Sequence, residues 1–577
     1  MGMKIVSSNN FTFVACNLLA LLFLVVNLKA QDRQMVEEST RINAQSAYID
    51  GLAAFENEDY QHALDLLKAA YVKLPDHPGV NYALADAYLM MNDVTNAEYY
   101  GKQAVKLAPR NPWYRLKLAR LYRDQGKNKT AVTELTDALE YNPHNETLLH
   151  ELAQSYSDLG QLNEANKVYN KLLFLKGEDL NVRLERLRNF NDLGMQDSAI
   201  TELKKIRDLN PNNIATLRVL SNHYKMIGQM AEAKEVLNNA LQINERDSKT
   251  LLMLSNIYIE QAQWDSLSTF LSNTIADSLI ATSTKINLAK YLYSNYKNDR
   301  KNRELQKTTA TVLKKLMYSE PNSGSAQSLA ADFFTQTGQT ELALQAYEKA
   351  TELAPTNGTA WQKRLQLLLR KGEIKKAIAI GEEATKAVPQ EPIILYFLGS
   401  AHLSDQNYQE AITYLDKAKE LPIRRSLKAN ILGALANTYA ALKQWNKAFP
   451  HYEKALKIQP KNPGFLNNYA YYLSLQKRKL DQARKMAQKA IKIAPNNPSY
   501  LDTLGWIYFQ QGEYKKAEEY IRASLDTGQA SAEVMEHMGD VLQKLGKLSQ
   551  ARQWWQKAFN KDSTRTHLKD KIPANGE

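Results

Sequence analysis

Small apolar residues punctuate this chain at a fixed interval. Ala63, Ala97, Ala131, Ala165, Ala199 and Ala233 stand 34 residues apart, and the same spacing returns at Ala343, Ala377 and Ala411 and again at Ala483, Ala517 and Ala551. Counting each unit from nineteen residues before its alanine, the eighth place is small in many copies (Gly51, Ala85, Ala119, Ala153, Ala331, Gly399, Gly505, Gly539). The eleventh is usually aromatic, as at Tyr88, Tyr122, Tyr156, Phe190, Tyr224, Phe334 and Tyr508. Seven places after the marker comes a second small residue, and a proline such as Pro75, Pro109, Pro143, Pro355 or Pro495 closes the unit. This pattern predicts a helical hairpin in every period. Small residues let two helices cross closely, an aromatic fills the gap between hairpins, and proline stops the second helix. Gly126, Gly160, Gly194, Gly228, Gly338, Gly372, Gly512 and Gly546 fall between the two predicted helices, where a residue tolerant of positive φ ends the first.

The frame resembles the tetratricopeptide repeat, whose 34-residue signature places small and aromatic residues at these positions with a final proline. The resemblance runs from about residue 44 to about residue 560. It implies an all-α, right-handed superhelical solenoid of about 15 helix-turn-helix repeats, with the first helix of each pair lining a concave groove. Two repeats are degenerate. The 110 residues between Ala233 and Ala343 are three periods plus eight; they hold one unit with Leu267 at the marker, Tyr258 at the aromatic place and Trp264 in the turn. A second lies around 280 to 320, with Tyr291, Tyr293, Tyr296 and the basic run from Lys297 to Arg303. The spacing also slips before Ala448 and before Ala483, insertions that belong in loops. The expected organisation is therefore a signal peptide over 1–30, a lead-in over 31–43, an N-terminal array over 44–275, a degenerate, hinge-like segment over 276–323, a C-terminal array over 324–560 and a polar cap and tail over 561–577.

The signal-peptide expectation comes from a second hydropathy feature. Residues 11 to 28 are almost wholly apolar, follow Lys4 without an intervening acid, and precede Lys29-Ala30-Gln31, which predicts export with cleavage after Ala30. Asn17 and Asn27 inside the run count against a stable membrane span, although its length is close to the minimum for one. Cys16 mimics a lipoprotein site, but its apolar stretch follows it instead of preceding it. It is also the only cysteine, so a cleaved chain forms no disulfide, which fits a periplasmic or other envelope compartment.

Charge changes the picture of partners. The formal net charge is +12, and a basic surface favours anionic partners such as acidic proteins, lipid headgroups or polyanionic glycans. Export sets nucleic acid aside. No phosphate loop, His-Glu-x-x-His motif or cysteine pair is present, so the chain reads as non-catalytic and without cofactor or metal.

The resemblance places the second, fifth, ninth and twelfth residues of each first helix on the groove. In the N-terminal half these include Trp113, Arg120, Arg123, Arg188, Asn191, Arg218, Asn222, Lys225, Lys249 and Asn256, a stripe of cations and amides suited to carboxylates or extended peptide backbone. Arg218 and Asn222 match the first two places of the carboxylate clamp of co-chaperone members of the family, but Met253 stands where the next clamp asparagine would fall. The C-terminal half offers Asn430, Asn437, Asn467, Tyr471, Asp502, Trp506, Phe509, Glu536 and Asp540, a mixture of amides, aromatics and acids. The expected function is a non-catalytic scaffold that binds protein or peptide partners in this groove, in cell-envelope assembly or secretion. Two other readings stand beside it: a carbohydrate- or peptidoglycan-binding module using Trp506 and Tyr471, and a membrane-anchored cytosolic adaptor if the apolar run stays uncleaved.

Overall fold

The computed structural model describes residues 32–572, with side chains from residue 43 onward. The apolar run and the cleavage site after Ala30 lie outside the described residues. Within them stand thirty α-helices, a terminal 3-10 turn and no strand, in the fifteen consecutive pairs that the sequence leads one to expect. The chain forms two compact units, one ending at Ile257 and the other beginning at Tyr258.

A typical pair shows why these residues make this shape. The helix Glu146–Asp158 opens on Asn145, whose side chain accepts from the Leu148 amide, and the next helix runs from Leu162 to Lys176. Several first helices instead begin on a proline, such as Pro112, Pro463 and Pro498, where the missing N–H costs nothing because that amide would go unpaired anyway. Between the helices one residue takes a left-handed conformation. Gly126 does so at φ 72°, and the turn is closed by its own amide on Arg123 and by the Lys127 amide on Tyr122, both at 2.8 Å. All eight glycines assigned to this turn have positive φ. In other pairs Glu58, Asn92, Ala262, Gln406, Lys443 and Lys477 occupy the same place at the same backbone angle.

The marker alanines are the points of closest helix crossing. Each is buried to within 1% of full cover, and so are their small partners seven places on, among them Ala70, Ala104, Ala350 and Ala490. An added methylene at such a point overpacks the crossing, typically at about 1–3 kcal/mol. Around these contacts each unit builds a continuous apolar core. One runs from Leu64 to Val182 in the N-terminal unit and another from Leu395 to Leu568 in the C-terminal unit.

The second degenerate unit is a complete hairpin. Its helices, Thr282–Asn298 and Arg303–Ser319, are 17 residues each where most others are 13 or 14, so the surplus over three periods is taken up as helix length. Thr309, one period before Ala343, fills the marker place fully buried, with its hydroxyl donated to the Leu305 carbonyl at 2.7 Å. The preceding second helix, Trp264–Ala276, lies against Arg303–Ser319 and only touches Thr282–Asn298. At the C-terminus the chain turns at Thr566–Leu568 and tucks Leu568 into the core.

Candidate functional site

In the N-terminal unit the cations picked from the sequence are largely engaged by acids of neighbouring helices. Arg120 and Arg123, one turn apart on Pro112–Asp124, both reach Glu151 on the following first helix: Arg120 Nε donates to Oε1 at 2.7 Å and Arg123 Nη1 to Oε2 at 2.5 Å. Arg123 Nη1 also donates to Gln154 Oε1 at 2.9 Å. Arg218 donates to Asp247 at 2.8 Å, and burial, which pushes this carboxyl up, is outweighed by Thr250 and Arg218, which bring it below its ordinary range. Arg188 is different: its side chain is 73% exposed, and Glu185 meets it only at 3.6 Å. Trp113, Asn191 and Asn222 are exposed at the second, twelfth and ninth places of their first helices, Asn222 making a weak contact to Met226 Sδ at 3.8 Å. Lys225 and Asn256 are partly covered, and neither is without a partner.

The C-terminal unit gathers its candidates more tightly. Asn437 Oδ1 accepts from the Tyr452 hydroxyl and from Asn468 Nδ2. Asn467 is buried with its Oδ1 unpartnered. Tyr471, on Pro463–Leu475, donates its hydroxyl to Glu533 at 2.5 Å, reaching past the intervening first helix Pro498–Gln510 to the one after it. Burial first, then the Glu533 charge, pushes this phenol far above its ordinary range. Asp502, on the intervening helix, meets His537 Nδ1 at 2.9 and 3.0 Å, with both side chains buried. Trp506 is 9% exposed, with its ring stacked on His537 at 3.9 Å and on Phe509 at 4.6 Å. A ring so covered has little face left for a sugar. His537 escaped the sequence reading because it stands one place past the groove position held by Glu536, on the side of the helix that meets the preceding pair. Its link to Asp502 leaves no trace in the periodicity. Glu536 and Asp540 are taken up by the polar tail: Arg565 and His567 meet Glu536 at 2.6 and 2.8 Å, and Lys571 meets Asp540 at 2.6 Å.

Each unit opens a polar cleft between three consecutive first helices. In the N-terminal unit it is about 340 Å³, bounded by Arg123, Asp158, Arg188 and Asp192 with Tyr169 of a second helix at its base. In the C-terminal unit it is about 320 Å³, bounded by Tyr293, Gln336, Lys363 and Arg370 with Tyr347 in the corresponding place. Burial and the Asp332 charge push the Tyr293 phenol up to about 12.

Sequence profiles described as tetratricopeptide repeat match residues 50–112, 122–184, 329–392, 390–461, 451–485 and 498–527. A TPR repeat-containing protein of Pseudomonas aeruginosa is 25% identical over 206 residues, 34% of this chain and 33% of the relative, so the likeness spans about a third of that protein's length. Among solved structures, a chain of the APC/C hetero-tetramer Cut9–Hcn1 is similar at 14% identity, covering 96% of this chain and 97% of that one with a TM-score of 0.38. A tetratricopeptide repeat protein from Parabacteroides merdae is 15% identical, covering 43% of this chain and 97% of that one, with a TM-score of 0.36. The profile matches together take in more than half of the residues, and the chain belongs to the tetratricopeptide repeat family of protein-interaction scaffolds.

Proposed function

We propose that this scaffold holds an extended polypeptide against the first-helix faces of its pairs, and does so outside the cytoplasm in cell-envelope assembly or secretion. The observation that carries the binding reading is the pair of clefts, each opened between three successive first helices and lined by polar side chains. Exposed Trp113, Arg188, Asn191 and Asn222 extend that surface in the N-terminal unit. Exposed aromatic and arginine side chains are among those that most often anchor a partner. The supporting feature for export is the apolar run before Ala30.

Photo-crosslinking tests the surface. A crosslinker at Trp113 or Asn222 is expected to capture a polypeptide, and one at Val72, which is 71% exposed on a second helix, is not. Equal capture at both places sinks the first-helix reading. Mass measurement of the protein from its own cells tests export: a chain beginning at Gln31 supports it, and an intact N-terminus returns the membrane-anchored adaptor to first place.

A further inference from the structure

Four second helices carry an aromatic residue with a polar tip four places after the buried alanine: Tyr169, Tyr347, Tyr452 and Trp555. Three of these tips donate to the residue fifteen places earlier, on the first helix of the same pair. Tyr347 Oη donates to Asp332 Oδ1 at 2.6 Å, Tyr452 Oη to Asn437 Oδ1, and Trp555 Nε1 to Asp540 Oδ1 at 3.0 Å. Tyr169 breaks the rule. It is fully buried, and its hydroxyl has no partner. The residue fifteen places earlier is Gln154, whose side-chain oxygen is already taken by Arg123. Its polar neighbour Ser157 stands close enough to favour the charged phenol, but it gives its own proton to Asn189 Oδ1 at 3.3 Å and makes no hydrogen bond of good geometry to the Tyr169 hydroxyl. The open phenol lines the cleft of the N-terminal unit.

The charge around that phenol is negative. Asp158, Glu185 and Asp192 line the cleft against Arg123 and Arg188. Arg123 is spent on Glu151 and Gln154 and comes only to 3.9 Å of Asp158, and Arg188 only to 3.6 Å of Glu185, whereas Asp192 is exposed and without a partner. The cleft of the C-terminal unit occupies the same places of the repeat frame with the opposite sign. Lys363 stands where Glu185 does, twenty residues after the marker alanine, and Arg370 stands where Asp192 does, twenty-seven after it. There the phenol is closed by Asp332.

We propose that the cleft lined by Tyr169 reads a basic side chain, arginine or lysine, of the bound polypeptide. The cation sits among Asp158, Glu185 and Asp192 and donates an N–H to Tyr169 Oη, supplying the partner that the other three tips find within their own pair. A chain whose overall charge favours acidic partners thus carries one place that selects the opposite charge. This rests on the groove reading above.

The test uses the full chain and two labelled Gly/Ser peptides, one bearing arginines and the other glutamates at the same places, with affinity read by fluorescence anisotropy. The arginine peptide is expected to bind the wild type. Asp158→Asn with Asp192→Asn should weaken it about tenfold, the loss of one charged hydrogen bond, and Tyr169→Phe should weaken it severalfold. The glutamate peptide should be indifferent to all three changes. Glu185→Lys with Asp192→Arg, which gives this cleft the charges of its counterpart at those two places, should transfer preference to the glutamate peptide. The substituted acids are wholly or partly exposed and Tyr169→Phe keeps the ring, so unchanged circular dichroism melts serve as the folding control. An arginine peptide that fails to bind, or binds regardless of these substitutions, overturns the proposal and leaves the scaffold reading to the crosslinking result at Trp113.

Discussion

One atom separates tyrosine from phenylalanine, and in this protein its worth depends on what stands fifteen residues earlier. Tyr347→Phe removes a hydroxyl bonded to the Asp332 carboxylate and should cost about 1.5–3 kcal/mol in chemical denaturation. Tyr169→Phe removes one that bonds nothing, so its stability should stay within about 0.5 kcal/mol of wild type or rise. Similar losses at both places would mean that Tyr169 has a partner. His537 gives a second contrast. Burial pushes its imidazole down, but Asp502, with Glu533 and Asp540 behind it, brings it above the ordinary histidine value. A raised folded value means that the pair's contribution is fully present below about pH 6.5 and is lost as pH climbs through the raised value. Melting temperature should therefore fall on going from pH 6 into the alkaline range, and His537→Gln should flatten that slope. The sequence discloses neither contrast. Periodicity assigns Tyr169 and Tyr347 the same place, and only the length of Gln154 and its capture by Arg123 divide them.

At the level of the helix pair, far more is legible. The alanine frame locates the crossings, the closing prolines mark the ends of second helices, and eight glycines mark the turns. What the glycines leave unsaid is that the left-handed turn belongs to the frame and not to the residue, because Gln406 and Lys443 adopt it too. A side chain there crowds the following carbonyl at about 1–2 kcal/mol, part of which glycine gives back as greater freedom in the unfolded chain. Gln406→Gly is expected to stabilise by about 1 kcal/mol, and Gly372→Ala, one period earlier, to destabilise by a similar amount. Thermal melts of the two variants check the pair of signs. The degenerate unit is less legible, since Thr282–Asn298 and Arg303–Ser319 keep the hairpin while stretching it. Thr309 satisfies its own hydroxyl and so passes for an alanine in the packing, which no apolar pattern reveals.

For the molecule as a whole, net charge proved a poor guide to local chemistry. The +12 of the sequence suggests acidic partners everywhere, yet Arg120, Arg123 and Arg218 are answered by Glu151 and Asp247, and the cleft lined by Tyr169 carries three acids against two arginines. A repeat array whose members touch only their neighbours transmits a perturbation over a short range. The destabilisation caused by Tyr347→Phe should accordingly raise amide hydrogen exchange in the helices flanking Thr340–Leu353 while leaving Pro112–Lys176 unchanged; a uniform increase would reveal a single cooperative block. The tip contacts made by Tyr347, Tyr452 and Trp555 carry one more implication. Each closes a loop of only fifteen residues, which costs little chain entropy and needs no neighbouring hairpin in place. All three lie in the C-terminal unit, and the one equivalent residue of the N-terminal unit lacks the contact. Hairpins that seal themselves are natural starting points for folding, so the order in which this chain acquires structure should run opposite to the order in which it is synthesised.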